Sequence, residues 1–222
     1  MSDAGTEAAT PCAIHGPTDP RRIAKPSDTS SACAAVKPRR YAPPADPRNV
    51  MRPLRQGNLD SLCGVYAILN ALRWAMGPQD MDRVTVEGLF VALTEHAIKE
   101  LGMLSLPTSG IGTRQLQRLI KVAKIWLKVE HAINLTAKPI PIRGSGPACR
   151  ELLQAICADQ GEGGRSFILG LHAEEWHWSV LQGFVADRLF LFDSDRMRSV
   201  ALDRLTFDVG FALTLTSRPE QT

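Results

Sequence analysis

Two hydrophobic periods share this chain, and the order in which they come restricts what it can fold into. Up to about residue 158 the apolar side chains recur at helical spacing; from Ser166 onward they alternate. Val65, Ile68, Leu69, Leu72 and Ala75 mark a first helix, entered at Asp60-Ser61 and closed by Gly77-Pro78. A second helix is predicted from Val86 to Leu101, stopped by Gly102. A third spans Thr113 to about Leu127, with Leu116, Leu119, Ile120 and Ala123 on one face. A fourth covers Pro147 to Ala158 and ends in Gly161-Glu162-Gly163-Gly164. Between them, residues 103–112 read as a loop, and residues 138–143 as a short extended stretch broken by Pro139 and Pro141. Strands are predicted at Ser166–Leu171, His177–Val185, Arg188–Phe192 and Phe211–Thr216. Helices first and an antiparallel sheet second predict an α+β fold rather than alternating α/β. No internal repeat interrupts this order.

Composition changes near residue 53. Nine of the 15 prolines precede residue 55, with few large apolar residues among them. Such a segment buries too little apolar surface to offset its ordering entropy. The expected organisation is a disordered, Pro-rich basic tail over 1–52, a globular domain over 53–217, and a short C-terminal tail over 218–222. The chain carries +3 overall, and residues 1–55 hold nine Lys/Arg against five Asp/Glu, so the tail is the basic part. It has no dense basic run and almost no aromatic interleaving, which argues for a linker or leader rather than a nucleic-acid arm. No apolar run approaches the roughly 20 residues of a membrane span. Met1 to Gly16 carry Asp3 and Glu7 and do not read as a secretory signal. Five cysteines, an odd number at positions 12, 33, 63, 149 and 157, suit a reducing compartment better than a disulfide scaffold. The expected location is cytoplasmic, and an effector delivered into a host has the same signature.

The segment with the most chemical content is Arg55-Gln56-Gly57-Asn58-Leu59-Asp60-Ser61-Leu62-Cys63-Gly64-Val65-Tyr66. It sets a cysteine in the first turn of a long helix, where unpaired N–H groups and the helix dipole favour negative charge. The thiolate is the nucleophilic form, so this is a suitable place for one. Gly64 allows another chain to come close, and Gln56 has an amide N–H₂ suited to an oxyanion; Asn58 or a backbone N–H is the alternative donor. A base is available in Trp176-His177-Trp178-Ser179-Val180-Leu181, at the start of a strand. If Ala186-Asp187 is the hairpin loop, the numbers of opposed positions sum to about 373. His177 then faces Arg196, and a small bulge is needed to bring Asp193 to the imidazole. Asp193 follows the apolar strand directly and is preferred to Asp195 as the group that orients the ring.

Gln, then Cys-Gly at a helix start, then His at a strand start, then Asp after a hairpin resembles the papain-like cysteine peptidase superfamily, in the papain order. Leu62-Cys63-Gly64-Val65-Tyr66 and His177-Trp178-Ser179-Val180 resemble the two motifs of the SUMO-protease-like peptidases, which carry them in the opposite order. The bacteriocin-processing peptidase-like group also has Gln before Cys-Gly and a His–Asp pair on the sheet. The resemblance covers roughly residues 53–217. The separation from Gln56 to Cys63 is one longer than in papain, and the Trp that follows papain's nucleophile is absent. The resemblance implies a papain-like fold and a thiol hydrolase acting on a peptide or isopeptide bond, with Cys63, His177, Asp193 and Gln56 as its site. It implies a protein or peptide substrate, no nucleic acid, no membrane and no cofactor, and leaves the oligomeric state open. Acyl transfer or glutamine deamidation would use the same first half-reaction. A non-catalytic binding module on this fold is a third reading, disfavoured by the intact Cys–His–Asp set.

Each of these residues has a plainer reading. Cys63 can be a buried core thiol, and His177 a structural ring between two tryptophans. His172 with Glu174 and Glu175 lacks the spacing of a zinc motif, so no metal is expected. Cys149 and Cys157 read as core residues, and Gly110-Ile111-Gly112-Thr113 as a helix entry without a phosphate-loop Lys. Trp176 and Trp178 either shield the imidazole, line a groove or pack on the sheet.

Overall fold

One helix is enclosed by nearly everything else. In the computed structural model, which describes residues 42–43, 46–57, 61–77, 81–103, 105–159, 164–173 and 175–217, this helix, α1 (Cys63–Met76), has 11 of its 14 residues buried. The apolar stripe predicted from the sequence is therefore only part of its buried surface. Sheet covers one side, and α2 (Arg83–Leu101) and α4 (Thr113–His131) cover others. Asp82 caps α2 by accepting the Thr85 N–H, which starts the helix three residues ahead of the periodic apolar pattern. Between α2 and α4, the expected loop holds a single helical turn, α3 (Leu106–Ser109). The predicted helix entry at Asp60 and the loop residues 161–163 lie outside the described residues. So do residues 1–41 and 218–222 of the expected tails, with Cys12 and Cys33 among them.

Among the described residues, six strands make one antiparallel sheet in the order β1-β6-β2-β3-β4-β5. They are β1 (Ile133–Ile140), β2 (Arg165–His172), β3 (Trp176–Val185), β4 (Arg188–Phe192), β5 (Ser199–Ala201) and β6 (Thr206–Ser217). The helix α5 (Pro147–Asp159) lies between β1 and β2 in the chain. Ile168, Trp178, Val180, Phe192, Phe211 and Leu213 join the core of α1, α2 and α4. Phe167, Leu169, Leu181, Leu189 and Leu191 join a second core with Cys149, Leu153 and Ile156 of α5. The sheet thus separates two apolar layers, with helices on both faces. This is the α+β arrangement the order of periods predicts.

Three differences from the sequence reading have physical causes. The extended stretch lies at 133–140 rather than 138–143: only Leu135 and Ile140 of β1 are buried, so this edge strand has almost no alternation to detect, and Pro139 is tolerated there. β6 begins five residues before Phe211, because a register shift against β2 skips Asp208 and breaks its period. Residues 46–52, assigned to the tail, form a 3₁₀ turn at Pro47–Val50 and lie against the domain. Asp46 holds the Arg48 guanidinium, which stacks 4.7 Å over the Trp74 ring, and Asn49 accepts from Gln182 at 2.6 Å.

The β3–β4 hairpin turns at Ala186-Asp187, both at positive φ (47° and 63°), as a type I′ turn requires. Val185 faces Arg188, Phe184 faces Leu189 and Gly183 faces Phe190; beyond Gln182 the pairing slips by one residue, to Leu181–Leu191 and Val180–Phe192. Alanine has no side-chain means of favouring the left-handed region, whereas asparagine does. Ala186→Asn is therefore expected to stabilise the fold by about 0.5–1 kcal/mol, measured as a raised urea midpoint at unchanged slope.

Candidate active site

The slip at Gln182 decides where Asp193 points. In the register next to the turn, Asp193 would face Val180, whose side chain lies in the apolar core against α1. After the slip it falls one position on, opposite Ser179, and shares the parity of His177 rather than of Trp178 and Val180. His177 Nε2 donates to Asp193 Oδ2 at 2.7 Å. The other carboxylate oxygen accepts the N–H groups of Asp195 and Met197, at 2.7 and 3.1 Å. The carboxylate is thus fixed from both ends, and Asp195 meets it through its backbone N–H while its own side chain is exposed.

Cys63 is the first residue of α1, and its sulfur is near enough to His177 to help raise the pKa of the ring. Nε2 is taken by Asp193, so Nδ1 is the ring atom left for the thiol. Cys63 and His177 are each 7% exposed and Asp193 2%, and the first two line a cleft of about 1150 Å³. Gln56, Ser109, Trp176 and Asp195 are also on its wall. Gln56 is tied to the loop after β4: its N–H donates to the Ser194 carbonyl at 3.2 Å, and its Oε1 accepts from Ser194 Oγ at 3.5 Å. Of the four residues singled out by the sequence, Cys63, His177 and Gln56 therefore line one cleft, and Asp193 joins them through its bond to His177. The alternative donor Asn58 lies outside the described residues.

Burial by itself would lower the His177 pKa, but the Asp193 hydrogen bond and then the Cys63 sulfur overcome it and push the ring up to about 10. Burial works to raise the Asp193 pKa; the bond to His177 prevails and holds the carboxyl below its ordinary 3.8. The pair is therefore charged at neutral pH.

The two tryptophans divide the roles left open by the sequence. Trp178 is fully buried, and its Nε1 donates to the Ile111 carbonyl at 2.6 Å. Trp176 stands edge-on to it at 4.8 Å and reaches the cleft. Ile111 is a residue the sequence does not advertise. A Cβ on Gly64 would lie 3.0 Å from Ile111 Cβ and Cγ2, and one on Gly170 would lie 2.8 Å from the Trp178 ring. Glycine at both places lets the Ile111 loop bridge the residue after Cys63 to the residue after His177. Gly112 and Thr113 open α4, and Thr113 Oγ1 donates to Asp208. Cys149 is in the α5 core with its sulfur 3.4 Å from the Arg143 carbonyl, and His172 packs edge-on to Trp176. Of the metal reading's residues, Glu174 lies outside the described residues.

No family model matches the chain, and no curated protein matches it. Solved structures do. One is the peptidase domain of Streptococcus ComA, a bi-functional ABC transporter of a quorum-sensing pathway: 12% identity, 74% of this chain, 97% of that one, TM-score 0.42. A second is a double glycine motif protease from an AMS/PCAT transporter, solved with its leader peptide: 17%, 76%, 93% and 0.38. A third is the Pseudomonas avirulence protein AvrPphB: 11%, 72%, 93% and 0.38. The likeness is one of gross arrangement, and the chemistry of the cleft rests on its own geometry.

The pKa directions fix a pH dependence of stability. A group whose pKa rises on folding stabilises fully below its unfolded value, so the His177 contribution is complete below pH 6.5 and is lost as pH rises toward 10. The Asp193 contribution is complete above 3.8 and is lost as pH falls below that value. Burial pushes the Cys157 thiol up to about 11, which adds a loss only above its ordinary 9.0. Urea midpoints are expected to fall from pH 6.5 to 9 by the equivalent of a few kcal/mol, and this slope is expected to shrink in Asp193→Asn.

Proposed function

We propose that the chain is a thiol-dependent hydrolase that cleaves a peptide or isopeptide bond through Cys63, His177 and Asp193. The observation that supports it most is the 2.7 Å bond from His177 Nε2 to Asp193, which commits one ring nitrogen and leaves Nδ1 for the sulfur at the start of α1. An imidazolium beside the sulfur and the N-terminal end of α1 both favour a thiolate.

In this reading the proton of Cys63 already sits on His177 Nδ1 in the resting site, and the thiolate of this ion pair attacks the substrate carbonyl carbon. The carbonyl π pair moves to oxygen, and the resulting oxyanion is met by the Gln56 amide N–H₂ and the Cys63 backbone N–H. That N–H belongs to the first residue of α1 and has no helical acceptor. The intermediate collapses and breaks the C–N bond, and the leaving amine takes the proton from the His177 imidazolium. A thioester to Cys63 remains. His177 then removes a proton from water as it attacks the thioester, and the acid and free thiol are released. Asp193 holds the ring in its tautomer and stays ionised throughout.

The test is turnover against a mixed peptide library, with products read by mass spectrometry. Cys63→Ala and His177→Ala are each expected to lower turnover by more than about a thousandfold, and Gln56→Ala by about a hundredfold. Circular dichroism should show all three folded. Cleavage that persists in Cys63→Ala contradicts the reading.

A further inference from the structure

Gln56 lies on neither a helix nor a strand, yet an oxyanion donor must be held to a fraction of an ångström. What holds it is a fully buried polar side chain in the middle of an apolar helix. Asn70 is 0% exposed, between Leu69 and Ala71 in α1. Its Oδ1 accepts the Leu54 N–H at 2.7 Å, and its Nδ2 donates to the Leu54 carbonyl at 3.1 Å. The amide thus meets both main-chain groups of one residue, as a neighbouring strand would. A buried amide without partners would cost about 1–3 kcal/mol, so these two bonds account for an asparagine at this position.

Leu54 is two residues before Gln56, and Asn70 is seven after Cys63, on the same face of α1 two turns along. The helix that presents the sulfur therefore also clamps the backbone that presents the amide. Arg73 adds a bond to the Arg52 carbonyl at 2.9 Å, and Trp74 carries the Arg48 guanidinium. At the far end Ser194 takes the Gln56 N–H through its carbonyl and meets Oε1 through its hydroxyl. Holding Oε1 leaves the nitrogen of the same amide for an incoming oxygen.

We propose that Asn70 and Ser194 are positioning residues for Gln56, Asn70 by clamping Leu54 to the nucleophile helix and Ser194 by orienting the Gln56 amide. The proposal rests on Gln56 as the oxyanion donor in the reading above.

The test uses the full chain and p-nitrophenyl acetate, with Cys63→Ala as the blank, and follows p-nitrophenolate release in a stopped-flow instrument. Asn70→Ser and Ser194→Ala are each expected to slow acylation at saturating ester by about tenfold to a hundredfold, with the half-saturating concentration within about twofold. In combination with Gln56→Ala, neither is expected to slow it further, because the group they position is gone. If Asn70→Ser does not fold, Ser194→Ala, which removes one hydroxyl, carries the kinetic test alone. Equal slowing with and without Gln56→Ala means a general structural role and overturns the proposal, as does no slowing where Gln56→Ala itself slows acylation. No loss in Gln56→Ala removes the donor from the functional reading and the proposal with it. Absence of any Cys63-dependent release overturns the functional reading itself. Amide exchange then decides the clamp: faster exchange at Leu54 and Gln56 in Asn70→Ser upholds it, and unchanged exchange overturns it.

Discussion

The hydrogen bond between His177 and Asp193 depends on a single extra residue. A hairpin in perfect register from Ala186-Asp187 would aim the Asp193 carboxylate into the leucine-rich layer over α1, where an unpaired charge is prohibitively costly. Gln182 takes up one position without a partner, and every residue beyond it on β4 changes face relative to β3. Phe192 then enters the apolar core against Trp74, with ring centroids 5.1 Å apart, and Asp193 leaves it for the imidazole. Gln182 is itself held, by Asn49 of the segment that leads to Gln56.

The second constraint is the helix α1. It is the buried centre of the helical layer. Its first residue supplies the sulfur, its second is a glycine pressed against Ile111, and its later turns hold the segment that carries Gln56. Ile111 passes the contact on to Trp178, beside His177. A cysteine and a histidine more than 100 residues apart in the chain are thereby referenced to one another through packed, hydrogen-bonded neighbours. The fold positions the site by burial, and the site in turn places a charged pair where only mutual pairing makes it tolerable.

Much of this is legible in the sequence, for identifiable reasons. The helices carry apolar stripes over many turns, and β2, β3 and β4 alternate or run apolar between polar turns, so their existence follows from patterning. The place of the β3–β4 turn follows from its two-residue length. What is hidden is whatever carries no period. β1 is an edge strand with two buried side chains, β5 has three half-buried residues, and the bulge on β6 interrupts its own alternation. The candidate site divides in the same way. Cys63, His177 and Asp193 are visible because each has a chemical type and sits at an element end. Ile111 and Ser194 are not, since an aliphatic residue in a glycine-rich loop and a serine after a strand are ordinary locally. Asn70 leaves one trace, a lone amide inside a run of apolar residues. Residues 46–52 carry Pro47, Arg48 and Arg52 with little that is apolar, and read as tail. Their attachment depends on a cation stacked over Trp74 and an amide pair with Gln182, contacts that composition does not register.

The account stands or falls on the sulfur of Cys63 acting on the ring of His177. The direct measurement is the titration of the His177 imidazole by NMR, its resonances identified by their loss in His177→Ala. The ring is predicted to titrate far above 6.5, toward 10, and to move down when Cys63→Ala removes the sulfur while Asp193 stays in place. A ring that titrates near 6.5, or one that is indifferent to Cys63→Ala, would contradict it.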